Sequence, residues 1–155
     1  MRNRKLIWSL ITIVVLVVVG GWFFGFKGKA NLGKGEVRIN DQTFSVDVAD
    51  TMMSRSQGLS GREKLEDSEG MFFVFDSPGN HGFWMKDMKF AIDIIWIKGE
   101  RIVGFQENAK PEPEKSVFGL KTYYPPEAVD RVLEVNAGTV AKYGFKVGDS
   151  VYLNK

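Results

Sequence analysis

The chain has 155 residues, 44% of them hydrophobic and 26% charged, with a formal net charge of +2, one histidine and no cysteine. Without cysteine there are no disulfides, thiolate metal sites or cysteine nucleophiles, and a single histidine rules out a multi-histidine zinc site. Six of the 21 Lys and Arg stand in residues 1–34, which hold no acid, so the remainder sets 15 basic against 19 acidic side chains, a formal charge of −4; with no Lys/Arg stripe it has little to displace counterions from phosphate, and no nucleic-acid partner is expected.

Residues 1–5 form a basic flank, read as cytoplasmic, and residues 6–26 are twenty-one consecutive residues without a charge. As a helix they extend about 32 Å at 1.5 Å per residue, against a hydrocarbon core of about 30 Å. A secretory signal has an apolar region of only about 7 to 15 residues, so a retained transmembrane anchor is expected over a cleaved signal, although Gly28-Lys29-Ala30 offers small residues at a peptidase spacing. Arg2, Arg4 and Lys5 face Lys27, Lys29 and Lys34 across the span and nearly tie the positive-inside count. The short leading segment favours placing the rest of the chain on the extracytoplasmic face, with the cell membrane as a partner. Residues 27–35, with Gly28, Gly33 and Gly35, read as a flexible linker, and residues 36–155 as one domain with one core.

Residues 37–40 and 43–49 flank Asn40-Asp41, and Phe44, Val46 and Val48 alternate with Ser45 and Asp47, which predicts a hairpin. Thr51 can cap a short helix through Gln57, closed by Gly58 with Leu59 folding back on Met53. Residues 71–75 are apolar at every position and predict a strand buried on both faces, and Met52-Met53 and Phe72-Phe73 are core candidates. Pro78-Gly79 predicts a turn before extended structure at residues 83–86. Residues 92–97 and 101–107 predict a hairpin closed by the three residues Lys98-Gly99-Glu100. Residues 110–114, with two prolines among charges, read as an exposed loop, and Pro125-Pro126 as a second irregular stretch. A strand at residues 131–135 leads to a helix capped by Asn136 and ended by Gly144, with Phe145 packing on Val140; residues 150–153 are the last strand. About seven short strands against two short helices, without βαβ alternation, predict a mainly antiparallel sandwich or barrel-like fold.

Met53-Ser54-Arg55, Gly58-Leu59 and Arg62 are followed by Gly70-Met71-Phe72-Phe73, Phe83-Trp84-Met85-Lys86 and Ile92-Asp93-Ile94-Ile95. Leu133-Glu134, Ala137-Gly138, Gly144 and Val147-Gly148-Asp149 continue the series to the carboxyl end. In this order the motifs resemble the family catalogued as domain of unknown function 192, over about residues 36–153. The resemblance implies a mainly β, jelly-roll-like fold, often behind a signal or anchor, and no established activity. It also shows departures: the family usually has Asn-Thr after Trp-Met-Lys and Pro before Leu-Asp, where this chain has Asp87-Met88 and Ala91-Ile92.

Trp84, Lys86 and Asp93 stand on predicted strands without fitting apolar packing. By alternation Asp93 shares a face with Ile95 and Ile97, so it lies at a strand mouth or is a buried carboxylate in need of a partner, which Arg55, Arg62 or Lys86 would supply. Two readings follow: a ligand pocket of these cations, Asp93 and Glu134 with Trp84 as a wall, or an ion-paired latch tying the short helix to the sheet. Asp93, Glu107 and Glu134 are also the strand carboxylates from which an acid–base pair would be drawn. His81 stands in a Pro-Gly turn with no nucleophile motif beside it. Two function classes remain. One is a membrane-anchored extracytoplasmic binding or interaction module for a small polar ligand, an envelope polymer or an envelope protein. The other is a small metal-independent envelope enzyme using Asp93 or Glu134. Neither requires a cofactor.

Overall fold

A computed structural model describes residues 32–154; the basic flank and the anchor at residues 6–26 lie outside them. In chain order the elements are β1 (Gly33–Ile39), β2 (Gln42–Ala49), α1 (Met52–Gln57), β3 (Glu69–Gly79), β4 (Phe83–Trp84), β5 (Ile92–Lys98), β6 (Arg101–Ala109), a 3₁₀ turn (Val117–Gly119), β7 (Thr122–Tyr123), β8 (Val129–Asn136), α2 (Thr139–Tyr143) and β9 (Val151–Asn154). Seven strands form one sheet in the order β6-β5-β8-β3-β2-β1-β9, and β4 pairs with β7 as a separate ribbon. Among the described residues no helix is long and apolar enough to cross a membrane.

The mainly β character and the two short helices are as expected, but the architecture is not two packed sheets. The main sheet curls until its edges meet: Ser150 bridges Arg101, the Ile102 N–H donates to the Asp149 carbonyl at 3.0 Å, and the Val151 N–H donates to the Glu100 carbonyl at 2.9 Å. The result is a half-barrel. All seven strands feed one inner cluster, with Ile39, Phe44, Phe72, Ile95, Ile102, Leu133 and Val151 joined by Val140 and Phe145 at the two ends of α2. A second cluster on the outer face packs Phe73, Ile94, Trp96 and Val132 under Leu59, Leu65, Phe83, Met85 and Met88. Because both faces are covered, β5 is buried from Ile92 to Ile97, and the neighbours Phe72 and Phe73 go to opposite cores.

Most pairings are antiparallel. The exception is β2 with β3, which run parallel because residues 50–68, carrying α1, cross over between them. The hairpin of β1 and β2 turns at Asn40, whose φ of 52° suits the short amide side chain. The β5–β6 hairpin is one residue tighter than expected: Lys98 pairs with Arg101, so only Gly99 and Glu100 form the turn, with Gly99 at φ 59°.

Several local expectations are corrected. Gly33, Lys34 and Gly35, expected in the linker, belong to β1 and pair with Val48, Asp47 and Val46. Pro78-Gly79 lies at the end of β3, past a register shift against β8, instead of in a free turn. Met52 and Met53 are exposed, and the buried residue of α1 is Ser54. Leu59, by contrast, is buried in the outer core. Asn136 does not cap α2; it ends β8 and its side-chain amide donates to the Leu65 carbonyl at 2.8 Å. The cap position is Gly138, in the left-handed region at φ 86° and with no side chain to offer.

Since the two cores are filled from within this segment, residues 32–155 produced without what precedes them are expected to be soluble and monodisperse, with a far-ultraviolet circular dichroism spectrum dominated by strand. A helix-dominated spectrum, or aggregation relieved only by detergent, would contradict this. A chain begun at residue 36 loses the Gly33–Gly35 pairing and is expected to be less stable than one begun at 32.

Candidate functional site

The covered sheet decides which of the candidate residues can meet. Asp93 faces inward and is fully buried. Its Oδ1 accepts from the Asn108 N–H at 2.8 Å and its Oδ2 from the Val140 N–H at 3.0 Å. Asn108 lies where the β5–β6 register shifts, with φ 51°, and that irregularity leaves its N–H available to Asp93 instead of to the ladder. Val140 is in the first turn of α2, where Gly138 provides no cap, so Asp93 on β5 supplies the missing acceptor. Asp93 is therefore a latch, as one reading required, but its partners are backbone amides and not a cation. It also ties α2, not α1, to the sheet.

Glu134 is on the opposite face. It pairs in register with Met71 and Ile94, both outer-core residues, and is 5% exposed. Its neighbours across the ladder are apolar, and its carboxyl stands at the edge of a hollow. Burial pushes this group up to about 8, although the positive charge of Arg62 pulls it the other way. Arg62 itself donates to Asp47 Oδ2 at 2.5 Å, and Lys34 pairs with the other oxygen of that carboxylate. Burial raises Asp47, but the two hydrogen bonds from Lys34 and Arg62 outweigh it and hold the group below its ordinary value.

Glu134 borders a hollow of about 260 Å³ on the outer face. One side is Arg55 and residues 56–60, the end of α1 and the turn after it; another is Phe73 and Phe75 of β3; the rest is His81, Gly82, Phe83, Trp84 and Met88. Capping places α1 here: Thr51 and Ser54 exchange backbone and side-chain hydrogen bonds at 3.0 and 3.1 Å. Arg55 then clamps the helix to the sheet, its Nη1 donating to the Asp50 carbonyl at 2.7 Å and the Val74 carbonyl at 2.8 Å. Its guanidinium lies 5.2 Å from the centroid of Phe75, against which the His81 ring stacks at 3.6 Å. Trp84 remains 46% exposed, a wall still open to a ligand.

Of the residues singled out from sequence, Arg55, Trp84 and Glu134 share this hollow, and Arg62 reaches it only through its field at Glu134. Lys86 does not belong to it. Its ammonium pairs with Asp87 at 2.9 Å beside a separate hollow near Glu112 and Val117. Asp93 lies on the other side of the sheet and Glu107 is exposed, so the three strand carboxylates do not converge. Phe75, Ser60 and Met88 are lining residues that the sequence reading passed over. Met88 makes this wall apolar, whereas Asp87, at φ 55°, holds a backbone conformation that Asn and Asp both tolerate. Among the described residues no group of three His, Asp or Glu side chains is arranged to hold a metal ion.

Fold and site together define a small half-barrel domain with a one-carboxylate hollow on its outer face. The chain belongs to the family of domain of unknown function 192, described as an uncharacterised ACR, which it matches over residues 35–153. Among solved structures it is similar to a proposed transcription regulator from Sinorhizobium meliloti 1021, at 30% identity and a TM-score of 0.73 over 81% of this chain and 98% of that one. It is also similar to a protein of unknown function from Novosphingobium aromaticivorans, at 28% identity and a TM-score of 0.68 over 78% of this chain and 84% of that one. No curated protein matches.

Proposed function

We propose that this protein is a membrane-tethered, extracytoplasmic binding module, and that the hollow beside Glu134 holds a small polar ligand or the end group of a larger one. The observation that carries this reading is the Glu134 carboxyl: more than nine-tenths buried among apolar neighbours and open to a cavity. A nearly buried carboxyl is costly to the fold, and such groups cluster at functional sites. At about 260 Å³ the hollow is below the usual 300–1,000 Å³ range of drug-sized pockets, which favours a compact ligand. The enzyme alternative loses Asp93, whose oxygens are both taken by backbone amides, and the hollow's lining contains one carboxylate, not the two of a paired acid–base site. The regulator description of the Sinorhizobium protein is not carried over, because residues 35–155 are net acidic.

The test is a ligand screen by fluorine NMR on the full-length chain carrying 5-fluorotryptophan, with the Trp84 resonance assigned by its loss in Trp84→Phe. Small polar compounds that move this resonance, and fail to do so in Glu134→Leu, support the site. A broad screen in which none moves it refutes the site. Tethering is tested separately by intact mass of the membrane-extracted protein: residues 6–26 are expected to be present, and a mature amino terminus at Asn31 would replace the anchor with a secreted domain.

A further inference from the structure

The chemistry of the hollow narrows what completes it. The hydrogen bonds that Arg55 makes to the protein run through Nη1; its Nη2 forms an ion pair with the exposed Asp76 carboxylate at 4.0 Å, beyond hydrogen-bond distance. Glu134 presents its carboxyl at the same hollow. Around these two groups the walls are the aromatic faces of Phe83 and Trp84 and the thioether of Met88. Resting on the reading of this hollow as a binding site, we propose that it recognises a small organic carboxylate with a flat or apolar body, its carboxylate oxygens accepting from Glu134 and from the Arg55 guanidinium, and its body lying against Trp84.

The alternative, an organic cation pairing with an ionised Glu134, is opposed by the guanidinium of Arg55 in the hollow's lining and by Arg62, whose charge acts on Glu134. The acids that partner these two, Asp76 of β3 and Asp47 of β2, stand outside the lining, and the residues beside Glu134 on β3 and β5, Met71 and Ile94, carry no charge. A cation would also have to drive a proton off a carboxyl that burial keeps protonated up to about pH 8. A carboxylate ligand needs no such step. It takes the acid's O–H as a charge-assisted hydrogen bond and meets the positive field of the two arginines.

Binding should therefore require the protonated acid. Below about pH 8 affinity is level; above it, affinity falls by about tenfold per pH unit as Glu134 ionises against the ligand's like charge. Benzoate, benzamide and benzylammonium are the probes, read at Trp84 in the fluorotryptophan-labelled full-length chain, with melting temperature as the folding control. Benzoate is expected to bind best at pH 6.5 and to fade above pH 8. Glu134→Gln keeps a hydrogen-bond donor without a titration, so it should hold benzoate within a few-fold and abolish the pH dependence. Glu134→Leu should weaken benzoate by more than tenfold. N-acetylphenylalanine, whose carboxylate models a peptide end, distinguishes a free acid from a chain terminus according to which of the two binds more tightly. Preference for benzylammonium, its loss in Glu134→Gln, or benzoate binding unchanged in a folded Glu134→Leu would each overturn the proposal. If none of these probes binds while other screened compounds move Trp84, the carboxylate assignment fails and the site stands; if no compound of any class does so, both fail.

Discussion

Asp93→Asn is expected to cost the domain about 2–3 kcal/mol of unfolding free energy. Each Asp93 oxygen now receives a backbone N–H, part-buried from Asn108 at 2.8 Å and buried from Val140 at 3.0 Å. An amide can accept only one of them; its NH₂ must face the other N–H, leaving a part-buried or buried donor without an acceptor at a cost on the order of 1–3 kcal/mol, beyond the bond lost. Because one of the two N–H groups belongs to the first turn of α2, the helix end loses its acceptor as well, and Gly138 has no side chain to replace it. In a domain of this size the loss corresponds to a melting midpoint lower by about 10 °C. Asp93→Ala orphans both donors and should cost more. Chemical denaturation of both variants checks the order; an unchanged midpoint for Asp93→Asn would show that the two N–H groups find other acceptors and that the latch is dispensable.

Glu134 should behave in the opposite sense. Its folded value, about 8, lies above the ordinary 4.5, so the folded state holds the proton more tightly than the unfolded state does. The stability linked to this proton is fully present below about pH 4.5. It falls as the unfolded chain ionises, and it is gone once the pH has risen through about 8. At 1.36 kcal/mol per unit the loss across that window is on the order of 5 kcal/mol. Glu134→Gln removes the titration while keeping the shape, so variant and parent should be similar at pH 4 and the variant more stable by several kcal/mol at pH 9. The measurement is the difference between the two denaturation curves at each pH, which cancels every other titrating group. A difference that stays flat from pH 4 to 9 would show that Glu134 is solvated or paired, and would remove the main support for the binding site. A residue whose replacement stabilises the fold is one kept for a reason other than folding.

The contrast between these two carboxylates shows what a chain reading can and cannot supply. Alternation placed Asp93 on the face of Ile95 and Ile97, and that face is indeed buried, because period-two patterning is a local property of the strand. Which partner satisfies it was not legible: the N–H of Asn108 is freed by an irregularity in β6, and the N–H of Val140 is freed by a glycine at the start of α2. Two backbone amides stand where a cation is expected from the sequence. Glu134 carried a weak signal, a charge in the run Val132-Leu133-Glu134-Val135, which becomes informative once both faces of β8 are known to be covered.

Residues alone were enough for the mainly β class, the two hairpins, the Thr51 cap, the Gly144 stop and the family, since each depends on side chains a few positions apart or on motifs in fixed order. Trp84, Arg55 and Glu134 were legible as unusual residues, but not as neighbours. Their meeting depends on β8 inserting between β5 and β3, and on residues 50–68 crossing over to make β2 and β3 parallel. The sheet then curls so that Asp93 falls inside and Glu134 outside. Strand order and the sense of curl arise from pairing between segments more than about 30 residues apart, whose free energy is shared across the whole sheet and leaves no local pattern; only the tertiary structure could separate the carboxylate that latches the fold from the one that borders the hollow.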